Sequence, residues 1–338
     1  MRALVLNREN EYVIVERPMP EPDAGEVLFR THYSGVCGTD LHAPQLGNYG
    51  QDVVIGHEFA GEVVAVGPGV EGWQSGDRAA IHPKGDPCGV CPQCREGWRN
   101  LCSDPVVSTN PGILRDGGMA AFASIPAGKL RRLPEEVSTL EGAWAEPIAI
   151  ALRSVSRSGF LVGRRAVVVG SGPIGLLVTM LLRHAGASNI TVLEPSEMRR
   201  EKAAEVGADL TIDPLTDDPS TIFGSSLPRP DYVFECSAAG AALATAVEII
   251  RQHGTLTLVG VPLGTVPLPS FSAITKEITI RTSVSNVDEI DIAIELLAAK
   301  RLDVTALTSE VVGLEDVLGA MERLEQGKAI KVLVQPDE

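Results

Sequence analysis

The stretch AVVVGSGPIGLLVTMLL, residues 166–182, joins two apolar runs through a short turn that contains three glycines. The first run, Ala166–Val169, has the β-branched composition of a buried strand, and Ile174–His184 has the apolar spacing of a buried helix. Between them the turn reads G-x-G-x-x-G, from Gly170 to Gly175. A strand that leads into a helix through such a turn is typical of one unit of a parallel α/β sheet.

The same order of strand, turn and helix recurs downstream of this stretch. The recurring units are Asn189–Leu193 with Glu197–Val206, Asp231–Glu235 with Ala241–Gln252, and the strand Thr255–Val259. Repeated alternation predicts a doubly wound parallel sheet covered by helices, the Rossmann-type α/β fold. A helix predicted at Glu146–Ser156 leads into this sheet.

The glycine turn has both the spacing and the structural context of a dinucleotide-binding site. Gly170 would permit the tight turn, Gly172 would let the backbone approach a pyrophosphate, and Gly175 would let helix and strand pack closely. Pro173 and Ile174 lie in the first turn of the helix, whose free amides face phosphates in such sites. The sequence therefore predicts that these residues bind a dinucleotide cofactor.

Glu194 follows the second strand, at the distance where an acidic residue hydrogen-bonds the adenosine ribose. Its charge would repel a 2′-phosphate, so NAD is favoured over NADP, although Arg199 and Arg200 lie close by. A solvated carboxylate at a strand end is the alternative interpretation.

Residues 2–128 have a different character, because Gly and Pro are frequent and the apolar segments are short and alternating. Segments such as Glu26–Arg30 and Glu62–Val66 predict an irregular β-rich domain. After Ser285 come two amphipathic helices and a strand that would return to this first domain, at Ile290–Ala299, Leu314–Gln326 and Ala329–Val334.

The chain has 338 residues, a formal charge of -15 and an isoelectric point near 4.9. The length suffices for two domains, for which we expect residues 1–147 with 287–338 and residues 148–286. The acidic balance argues against nucleic acid as a partner. The first residues, MRALVLNREN, meet charge too early for a secretory signal, and the longest uncharged run falls short of a membrane span. We therefore expect a cytoplasmic protein without a membrane partner.

Four of the six cysteines lie in one polar stretch, PCGVCPQCREGWRNLC, residues 87–102. They are Cys88, Cys91, Cys94 and Cys102, with two, two and seven intervening residues. In a reducing compartment such a cluster favours a metal site over disulfides. Four thiolates complete the tetrahedral shell of zinc and leave no position for a substrate, which is typical of a structural zinc site. An iron–sulfur cluster and four free thiols are the alternatives.

A reactive metal would need an open coordination position, and two other segments supply ligands of that kind. GVCGTDLH contains Cys37, and VIGHEFAGEVVAVGPGV contains His57 and Glu58. One thiolate, one imidazole and one carboxylate leave a position on zinc for water or a substrate oxygen. Taken singly, Cys37 reads as a buried apolar residue, His57 as a core histidine and Glu58 as a surface charge.

At these residues the chain resembles the zinc-dependent medium-chain dehydrogenase/reductase superfamily. The signature G-H-E-x2-G-x5-G-x2-V is matched at every fixed position, by Gly56, His57, Glu58, Gly61, Gly67 and Val70. The similarity covers essentially the whole chain and is closest to the polyol (sorbitol) and threonine dehydrogenase branch. That branch is indicated by Glu58 after His57 and by Glu146 in the segment WAEPIAIAL.

The resemblance implies a GroES-like catalytic domain in addition to the Rossmann domain. It implies that Cys37, His57 and Glu58 hold a catalytic zinc, and that Glu146 binds this zinc directly or through water. The alternative for Glu146 is that its carboxylate caps a helix that starts at Pro147.

Two further residues match the proton relay of the family. Thr39 matches the hydroxyl that contacts the substrate oxygen, and His42 matches the histidine that passes the proton through the cofactor ribose to solvent. A hydrogen bond of Thr39 within its own turn and a surface position for His42 are the alternatives. The resemblance also places the adenosine ribose near Glu194 and Arg199. The nicotinamide side would be lined by the two stretches that contain Val259, Val261, Ser283 and Val284.

The implied function is transfer of a hydride between NAD and a secondary alcohol of a polyol, sugar, cyclitol or amino alcohol, with one catalytic and one structural zinc. The family also implies a homodimer or homotetramer. A primary or simple secondary alcohol dehydrogenase is the alternative enzyme, and a zinc-stabilised binding protein without turnover is the alternative of another class.

Two segments depart from the family pattern and limit the substrate assignment. Residues Gly117–Phe122 read GGMAAF where relatives commonly read GGFAEY, so that a carboxylate and a phenol are lost. The loop Ala43–Val54 is short and lacks the proline usual just before the signature. Both departures argue against a standard threonine or sorbitol specificity.

Overall fold

A computed structural model describes residues 1–105 and 109–337 of the chain. It divides into two compact units, one formed by Met1–Ala149 with Asn286–Glu338 and the other by Ile150–Ser285. Among the described residues, no helix combines the length and the hydropathy that crossing a bilayer requires.

The strands and helices are numbered in chain order. The strands are β1 (Arg2–Leu6), β2 (Tyr12–Glu16), β3 (Glu26–Gly35), β4 (Val53–Val54), β5 (Glu58–Val66), β6 (Arg78–Ile81), β7 (Phe122–Pro126), β8 (Leu130–Arg132), β9 (Arg165–Val169), β10 (Asn189–Leu193), β11 (Leu210–Ile212), β12 (Tyr232–Glu235), β13 (Thr255–Leu258), β14 (Thr279–Thr282), β15 (Thr308–Val312) and β16 (Lys331–Val334). The α-helices are α1 (Gly38–Leu41), α2 (Ala43–Leu46), α3 (Pro92–Arg95), α4 (Thr139–Gly142), α5 (Ala145–Ser158), α6 (Pro173–His184), α7 (Glu197–Glu205), α8 (Pro219–Ile222), α9 (Ala242–Ile249), α10 (Ser270–Thr275), α11 (Glu289–Ala298) and α12 (Val317–Glu325).

The second unit contains a six-stranded sheet in the order β11-β10-β9-β12-β13-β14, and every neighbouring pair is parallel. This result confirms the predicted doubly wound sheet. The central strand β9 is buried from Ala166 to Val169, as its uninterrupted apolar sequence requires. The strand order reverses between β9 and β12, and in such sheets ligands bind at the carboxyl ends of the strands at that point.

The first unit contains a seven-stranded sheet in the order β15-β16-β3-β5-β6-β8, with β7 paired to β3, and a three-stranded sheet in the order β2-β1-β4. The long strand β3 pairs with β5, β7 and β16. Because β16 pairs with β3, the C-terminal segment does return to the first unit, as expected. Apolar side chains of β3, β5, β6 and β7 form one core cluster that includes Phe29, Phe59 and Ile125.

One glycine at the end of β3 brings three elements close together. Gly35 is paired with Glu58 on β5 and with Leu333 on β16. A Cβ on Gly35 would lie 2.6 Å from Oε2 of Glu58 and 2.8 Å from Cε of Lys331, so there is no room for a side chain. The glycine therefore lets a carboxylate and an ammonium group meet beside the segment that leads to Cys37.

Candidate metal centre and cofactor site

Ligand atoms of Cys37, His57 and Glu58 all lie within 4.8 Å of one another, and we call these three residues the mixed-donor site. Cys37 comes from the segment after β3, and the other two come from the start of β5. Only 2% of Glu58 and 6% of His57 are exposed, so the surface position considered for Glu58 is wrong. A thiolate, an imidazole and a carboxylate at this spacing fit a zinc ion with an open position.

No motif in the sequence assigns a role to Asp40, but in the structure its carboxylate contacts two residues of this site, His57 and Cys37. Asp40 is fully buried; its Oδ1 lies 3.4 Å from Nδ1 of His57, and its Oδ2 accepts a hydrogen bond of 2.9 Å from the backbone N–H of Cys37. A negatively charged carboxylate 3.4 Å from Nδ1 favours a proton on that nitrogen, and a proton there leaves Nε2 of His57 for a metal.

The charges of this pair shift both pKa values. Burial opposes ionisation of Asp40, but the neighbouring His57 and the hydrogen bonds from Cys37 and Tyr49 lower the pKa of its carboxyl. Burial also opposes protonation of His57, yet Asp40 and Cys37 raise its pKa well above the ordinary value. Burial raises the pKa of the Cys37 thiol, and Glu58 raises it further. Without a cation among the donors, burial and the neighbouring negative charges therefore favour the protonated forms of Cys37 and His57.

Lys331 supplies a positive charge to the same place and was also missed by the sequence analysis. Its ammonium group is buried, forms an ion pair with Glu58 and donates a hydrogen bond of 2.9 Å to the carbonyl oxygen of Val36. It also lies 5.6 Å from the ring centre of Trp144. Burial would lower the pKa of Lys331, but Glu58 raises it above the ordinary value, so the lysine is charged.

Glu146 lies in the first turn of α5, because this helix begins at Ala145. The helix therefore does not start at Pro147 as the alternative assumed, although the Glu146 carboxylate still lies at its N-terminal end, where a negative charge is favourable without a metal. The backbone N–H of Ile148 already bonds the carbonyl of Trp144, and Pro147 is tolerated in a first turn because its missing N–H has no partner there. Burial raises the pKa of Glu146 to about 7, with His57 lowering it and Glu58 raising it. Among the described residues, Glu146 is outside the three donors that lie within 4.8 Å.

The two relay candidates occupy different environments. Thr39 lies in α1, and its Oγ1 is 3.4 Å from the hydroxyl of Tyr49. His42 ends α1 and is half-buried. The relay through these two residues stays a prediction.

Cys88, Cys91, Cys94 and Cys102, which we call the four-cysteine site, also place their sulfur atoms within 4.8 Å of one another. The sulfur atoms of Cys88 and Cys94 are 3.9 Å apart. Two thiolates bound at about 2.3 Å to one tetrahedral zinc lie about 3.8 Å apart, whereas thiolates on different irons of a cluster lie farther apart. The geometry therefore fits a single ion.

Backbone donors surround the sulfur atoms of the four-cysteine site. The N–H of Cys91 points to the sulfur of Cys88 at 3.4 Å, and the N–H of Cys88 points to the sulfur of Cys102 at 3.5 Å. Hydrogen bonds from the backbone of Ser103 and Cys94 lower the pKa of Cys91 to about 6. Such donors stabilise thiolates, which are the form that binds metal.

The predicted cofactor residues of the second unit follow the carboxyl ends of its parallel strands. Gly170 has φ of +89°, as a tight turn requires, and a Cβ on Gly175 would lie 1.9 Å from the carbonyl oxygen of Gly170. A Cβ on Gly172 would meet no described atom within 4 Å, so its backbone faces open space. Pro173 is the first residue of α6, followed by Ile174. These positions agree with the three roles that the motif assigns to its glycines.

Glu194 follows β10 and is only 4% exposed, so the solvated alternative is wrong. Its Oε2 accepts a hydrogen bond of 2.8 Å from the N–H of Ser171, inside the glycine turn, and its Oε1 accepts one of 3.0 Å from Ser196. The hydroxyl of Ser171 also contacts the carbonyl oxygen of Arg199 at 3.3 Å. The guanidinium of Arg200 donates to the backbone carbonyl of Glu194 and pairs with Asp213. The carboxylate of Glu194 is thus fixed against the glycine turn.

The remaining predicted cofactor residues follow the next strands of the same sheet. Val259 donates its N–H to the carbonyl of Glu235 at 2.9 Å, and Ser283 donates to Leu258 at 3.0 Å. Val261 and Val284, further along these segments, are more than half exposed. Within the second unit, the glycine turn, Glu194 and these segments therefore all lie at the carboxyl ends of the parallel strands.

Comparison with known proteins gives the family. Residues 23–135 match the model of the alcohol dehydrogenase GroES-like domain, and residues 173–299 match that of zinc-binding dehydrogenases. Sorbitol dehydrogenase of Gallus gallus is 34% identical, over 99% of this chain and 96% of that protein. A Sinorhizobium meliloti 1021 protein described as a zinc-binding dehydrogenase, solved with NADP, has a TM-score of 0.92 at 29% identity, covering 99% of each chain. An alcohol dehydrogenase from Escherichia coli CFT073, complexed with NADH, has a TM-score of 0.91 at 28% identity, also covering 99% of each chain.

A GroES-like domain joined to a Rossmann domain, with both cysteine-containing sites, defines a zinc-dependent dehydrogenase. The chain belongs to the zinc-dependent medium-chain dehydrogenase/reductase superfamily, in its polyol dehydrogenase branch.

Proposed function

We propose that the chain is an NAD-dependent zinc dehydrogenase that interconverts a secondary alcohol of a polyol, sugar, cyclitol or amino alcohol with the corresponding ketone. The observation that carries this proposal is the convergence of Cys37, His57 and Glu58 in a buried place, with Asp40 behind the imidazole and Lys331 beside the carboxylate. The similarity to sorbitol dehydrogenases supports the polyol class.

The residues of the mixed-donor site and three residues predicted to act with it each have a defined role in this proposal. Cys37, His57 and Glu58 hold the catalytic zinc, which supplies Lewis-acid polarisation of the substrate oxygen. Thr39 accepts the proton that the substrate hydroxyl loses, and His42 passes it toward solvent. Glu146 is a fourth ligand for this ion, and the second carboxylate, directly or through water.

One departure from the family pattern leads us to propose a substrate other than threonine. The segment Gly117–Phe122 lacks an acidic side chain, and an ammonium group would need a carboxylate partner on desolvation. Among the proposed classes, this favours neutral polyhydroxy compounds, which need only hydrogen bonds, over amino alcohols. Turnover measured with both amino alcohols and neutral polyhydroxy compounds separates these two classes.

The test combines metal analysis with NADH formation across polyols, cyclitols, simple alcohols and amino alcohols. We expect two zinc ions per chain and turnover with at least one polyhydroxy substrate. Thr39→Val is the matched variant, and it should lower kcat by roughly 10²–10⁴ while both zinc ions stay bound. Unchanged turnover of Thr39→Val would remove this residue from the mechanism, and a wild-type protein with one zinc and no turnover would favour the binding-protein alternative.

We propose NAD rather than NADP as the cofactor. The carboxylate of Glu194, fixed by Ser171 and Ser196, presents negative charge where an adenosine 2′-phosphate would lie. A structure similar to this chain was solved with NADP, so the choice between the two cofactors has to be tested on this chain. Glu194→Ala should weaken NAD binding by roughly tenfold and NADP binding less. Equal losses of affinity for both cofactors, measured by titration of the protein with each, would contradict the assignment.

We further propose that the four-cysteine site holds a structural zinc and that the protein is cytoplasmic. The single-ion spacing of the sulfur atoms supports the first proposal. The second follows from the first, because a four-thiolate metal site needs its cysteines kept in the reduced form, as they are in the cytoplasm.

We also propose a homo-oligomer formed through the edge of the six-stranded sheet. All four residues of the edge strand β14 are exposed. Near it in sequence, Phe271 and Ile274 are 80% and 73% exposed. A bare strand edge beside apolar side chains is a template for pairing with a second copy. Phe271→Glu should convert the oligomer to a monomer in light scattering; a monomeric wild-type chain would contradict the proposal.

A further inference from the structure

The carboxylate of Asp40 is held by more than the metal-site residues. Its Oδ1, the oxygen that faces His57, also accepts a hydrogen bond of 2.8 Å from the hydroxyl of Tyr49. The distance from Oδ1 to Nδ1 of His57 is longer, at 3.4 Å. The phenol is therefore the closer partner of this oxygen, and the imidazole is the group whose orientation depends on where the oxygen is held.

Asp40 has few groups that could replace this contact. It is 0% exposed, and among the described residues its only ion-pair partner is His57. The carboxylate keeps the N–H of Cys37 on its other oxygen. A buried carboxylate needs donors on both oxygens to keep one orientation, because no water compensates for a lost one. The Tyr49 hydroxyl supplies the donor for the oxygen that faces the imidazole.

The same hydroxyl also contacts the proposed proton acceptor. It lies 3.4 Å from Oγ1 of Thr39, one residue before Asp40. A phenol can donate one hydrogen bond and accept another, so donation to Asp40 leaves its oxygen free to accept from Thr39. One side chain thus links the residue behind the metal ligand to the residue proposed to face the substrate.

We propose that Tyr49 is a positioning residue of the mixed-donor site: its hydroxyl fixes the Asp40 carboxylate against His57 and orients the Thr39 hydroxyl. This inference rests on the proposed function, in which His57 binds zinc and Thr39 accepts a proton. Outer-shell partners that orient a ligand histidine typically change metal affinity by 10–100-fold when they are removed. Tyr49 lies in the loop between α2 and β4, which is the short loop that precedes His57 and Glu58.

The loop is held in place by contacts that do not involve the phenol oxygen. Gly50 donates its N–H to the carbonyl of Ile113 at 2.7 Å, and Asp52 donates to Leu6 at 2.9 Å. The ring of Tyr49 packs against the apolar cluster that contains Leu4 and Met119. Tyr49→Phe keeps the ring and both backbone contacts, so it removes the hydroxyl from an otherwise unchanged loop.

Tyr12 provides a matched control on the same residue. Its hydroxyl donates to the backbone carbonyl oxygen of Asp40, not to the carboxylate, and its ring packs against the same apolar cluster. Tyr12→Phe therefore removes one phenol hydrogen bond to Asp40 while the carboxylate keeps its partners. A merely structural role for either tyrosine predicts similar effects of the two variants.

The experiment measures zinc release from the full-length protein to a chromogenic chelator, together with kcat and KM. The four-cysteine site of the same molecule is the internal reference. We expect Tyr49→Phe to release the zinc of the mixed-donor site at least tenfold faster and to lower kcat, with a smaller change in KM. The release rate of the zinc in the four-cysteine site should stay unchanged. Tyr12→Phe should match the wild type in all three. In an Asp40→Asn background, Tyr49→Phe should have little further effect on zinc release, because it acts through that carboxylate.

The outcomes separate this inference from the proposed function. Wild-type protein with two zinc ions and turnover, but with equal release rates in Tyr49→Phe, overturns the inference alone. Equal acceleration by Tyr49→Phe and Tyr12→Phe, or an undiminished effect of Tyr49→Phe in the Asp40→Asn background, also overturns it. Wild-type protein without zinc at the mixed-donor site overturns the proposed function and this inference with it.

Discussion

The four-cysteine site and the mixed-donor site both gather candidate metal ligands within 4.8 Å, but they are assembled differently. The four sulfur atoms come from one short segment, whose regular structure is one turn of α-helix, α3, and one 3-10 turn at Arg99–Leu101. The mixed-donor site takes its ligands from the end of β3 and the start of β5, and its buried lysine from β16. The first site needs little besides its own segment, whereas the second exists only when the sheet of the first unit has formed.

This difference has a consequence for what each metal would do. A closed set of thiolates organises a segment that has almost no core of its own, and the metal then supplies folding free energy. At the mixed-donor site the sheet already holds the ligands in place, with Asp40 and Lys331 fixing their orientation and charge. Metal there is expected to contribute chemistry more than stability.

The largest expected effect tests this contrast by removing one cysteine from each site. Cys94 is the most buried member of the four-cysteine site. Cys94→Ser should release that zinc and destabilise the first unit severely, because structural zinc sites supply about 10–16 kcal/mol of apparent binding free energy in small domains. Cys37→Ser should abolish turnover and leave the unfolding midpoint close to that of the wild type. Urea unfolding followed by tryptophan fluorescence measures this, since Trp73, Trp98 and Trp144 are the chain's 3 tryptophans and all belong to the first unit.

Two results would break the contrast. Unfolding of Cys37→Ser at as low a urea concentration as Cys94→Ser would make the mixed-donor site a folding site as well. Alternatively, Cys94→Ser could keep wild-type stability, which would show that the segment folds without its metal.

The different construction of the two sites also explains how far the sequence predicts them. Spacing along the chain reveals four cysteines in one segment, and a motif reveals His57 and Glu58. Neither signal reaches Lys331, which lies far from Glu58 in sequence and sits in an apolar strand, KVLV, that reads as core. The one signal in the sequence is a charged residue at the start of an otherwise apolar strand. Asp40 and Tyr49 are similarly ordinary until the fold places them against His57 and each other.

The fold shows the same division between local and long-range information. The central strands of the parallel sheet were predicted within a residue or two, because a strand covered on both faces is apolar throughout. The edge strands β11 and β14 were not predicted. Strand β11 has three residues, and β14 reads TIRT with every residue exposed, so neither has an apolar run. Their strand conformation comes from pairing with β10 and β13.

A smaller effect is expected when a buried lysine is replaced, and two such lysines, Lys331 and Lys129, can be compared. Lys331→Met leaves the Glu58 carboxylate buried without its cation, and breaking a buried pair in this way costs about 3–5 kcal/mol. Zinc bound by Glu58 would replace part of the lost charge. The loss of stability should therefore be larger in protein stripped of zinc at the mixed-donor site than in loaded protein, as measured by urea unfolding of both forms.

Lys129→Met is the matched control for this prediction. Lys129 is also buried, but its ammonium group donates to the carbonyl oxygens of Pro83 and Gly85, on the segment that leads to the four-cysteine site. The loss of stability caused by Lys129→Met should be the same whether or not the mixed-donor site holds zinc. Equal losses of Lys331→Met in stripped and loaded protein would show that Glu58 does not share its charge with the metal.

The smallest effect asks whether protein contacts also anchor the segment that carries the four-cysteine site. His82, just before that segment, is 1% exposed, and its Nε2 lies 2.7 Å from the carbonyl oxygen of Val287, to which it donates. Burial lowers the pKa of His82 to about 4, from an ordinary value of 6.5. The folded chain therefore keeps the imidazole neutral, and between these two values the unfolded chain binds the extra proton. Stability should fall as the pH falls through this window and be restored as it rises.

Between pH 7 and pH 5 this single histidine should remove about 2 kcal/mol of the free energy of unfolding of the first unit. His82→Gln keeps a hydrogen-bond donor but has no proton to gain, so its unfolding curve should depend less on pH by that amount. Tryptophan fluorescence in urea at both pH values gives the comparison, with zinc content checked at each. Parallel pH dependence in the wild type and His82→Gln would mean that His82 is accessible to protons in the folded chain, and that the metal alone anchors this segment.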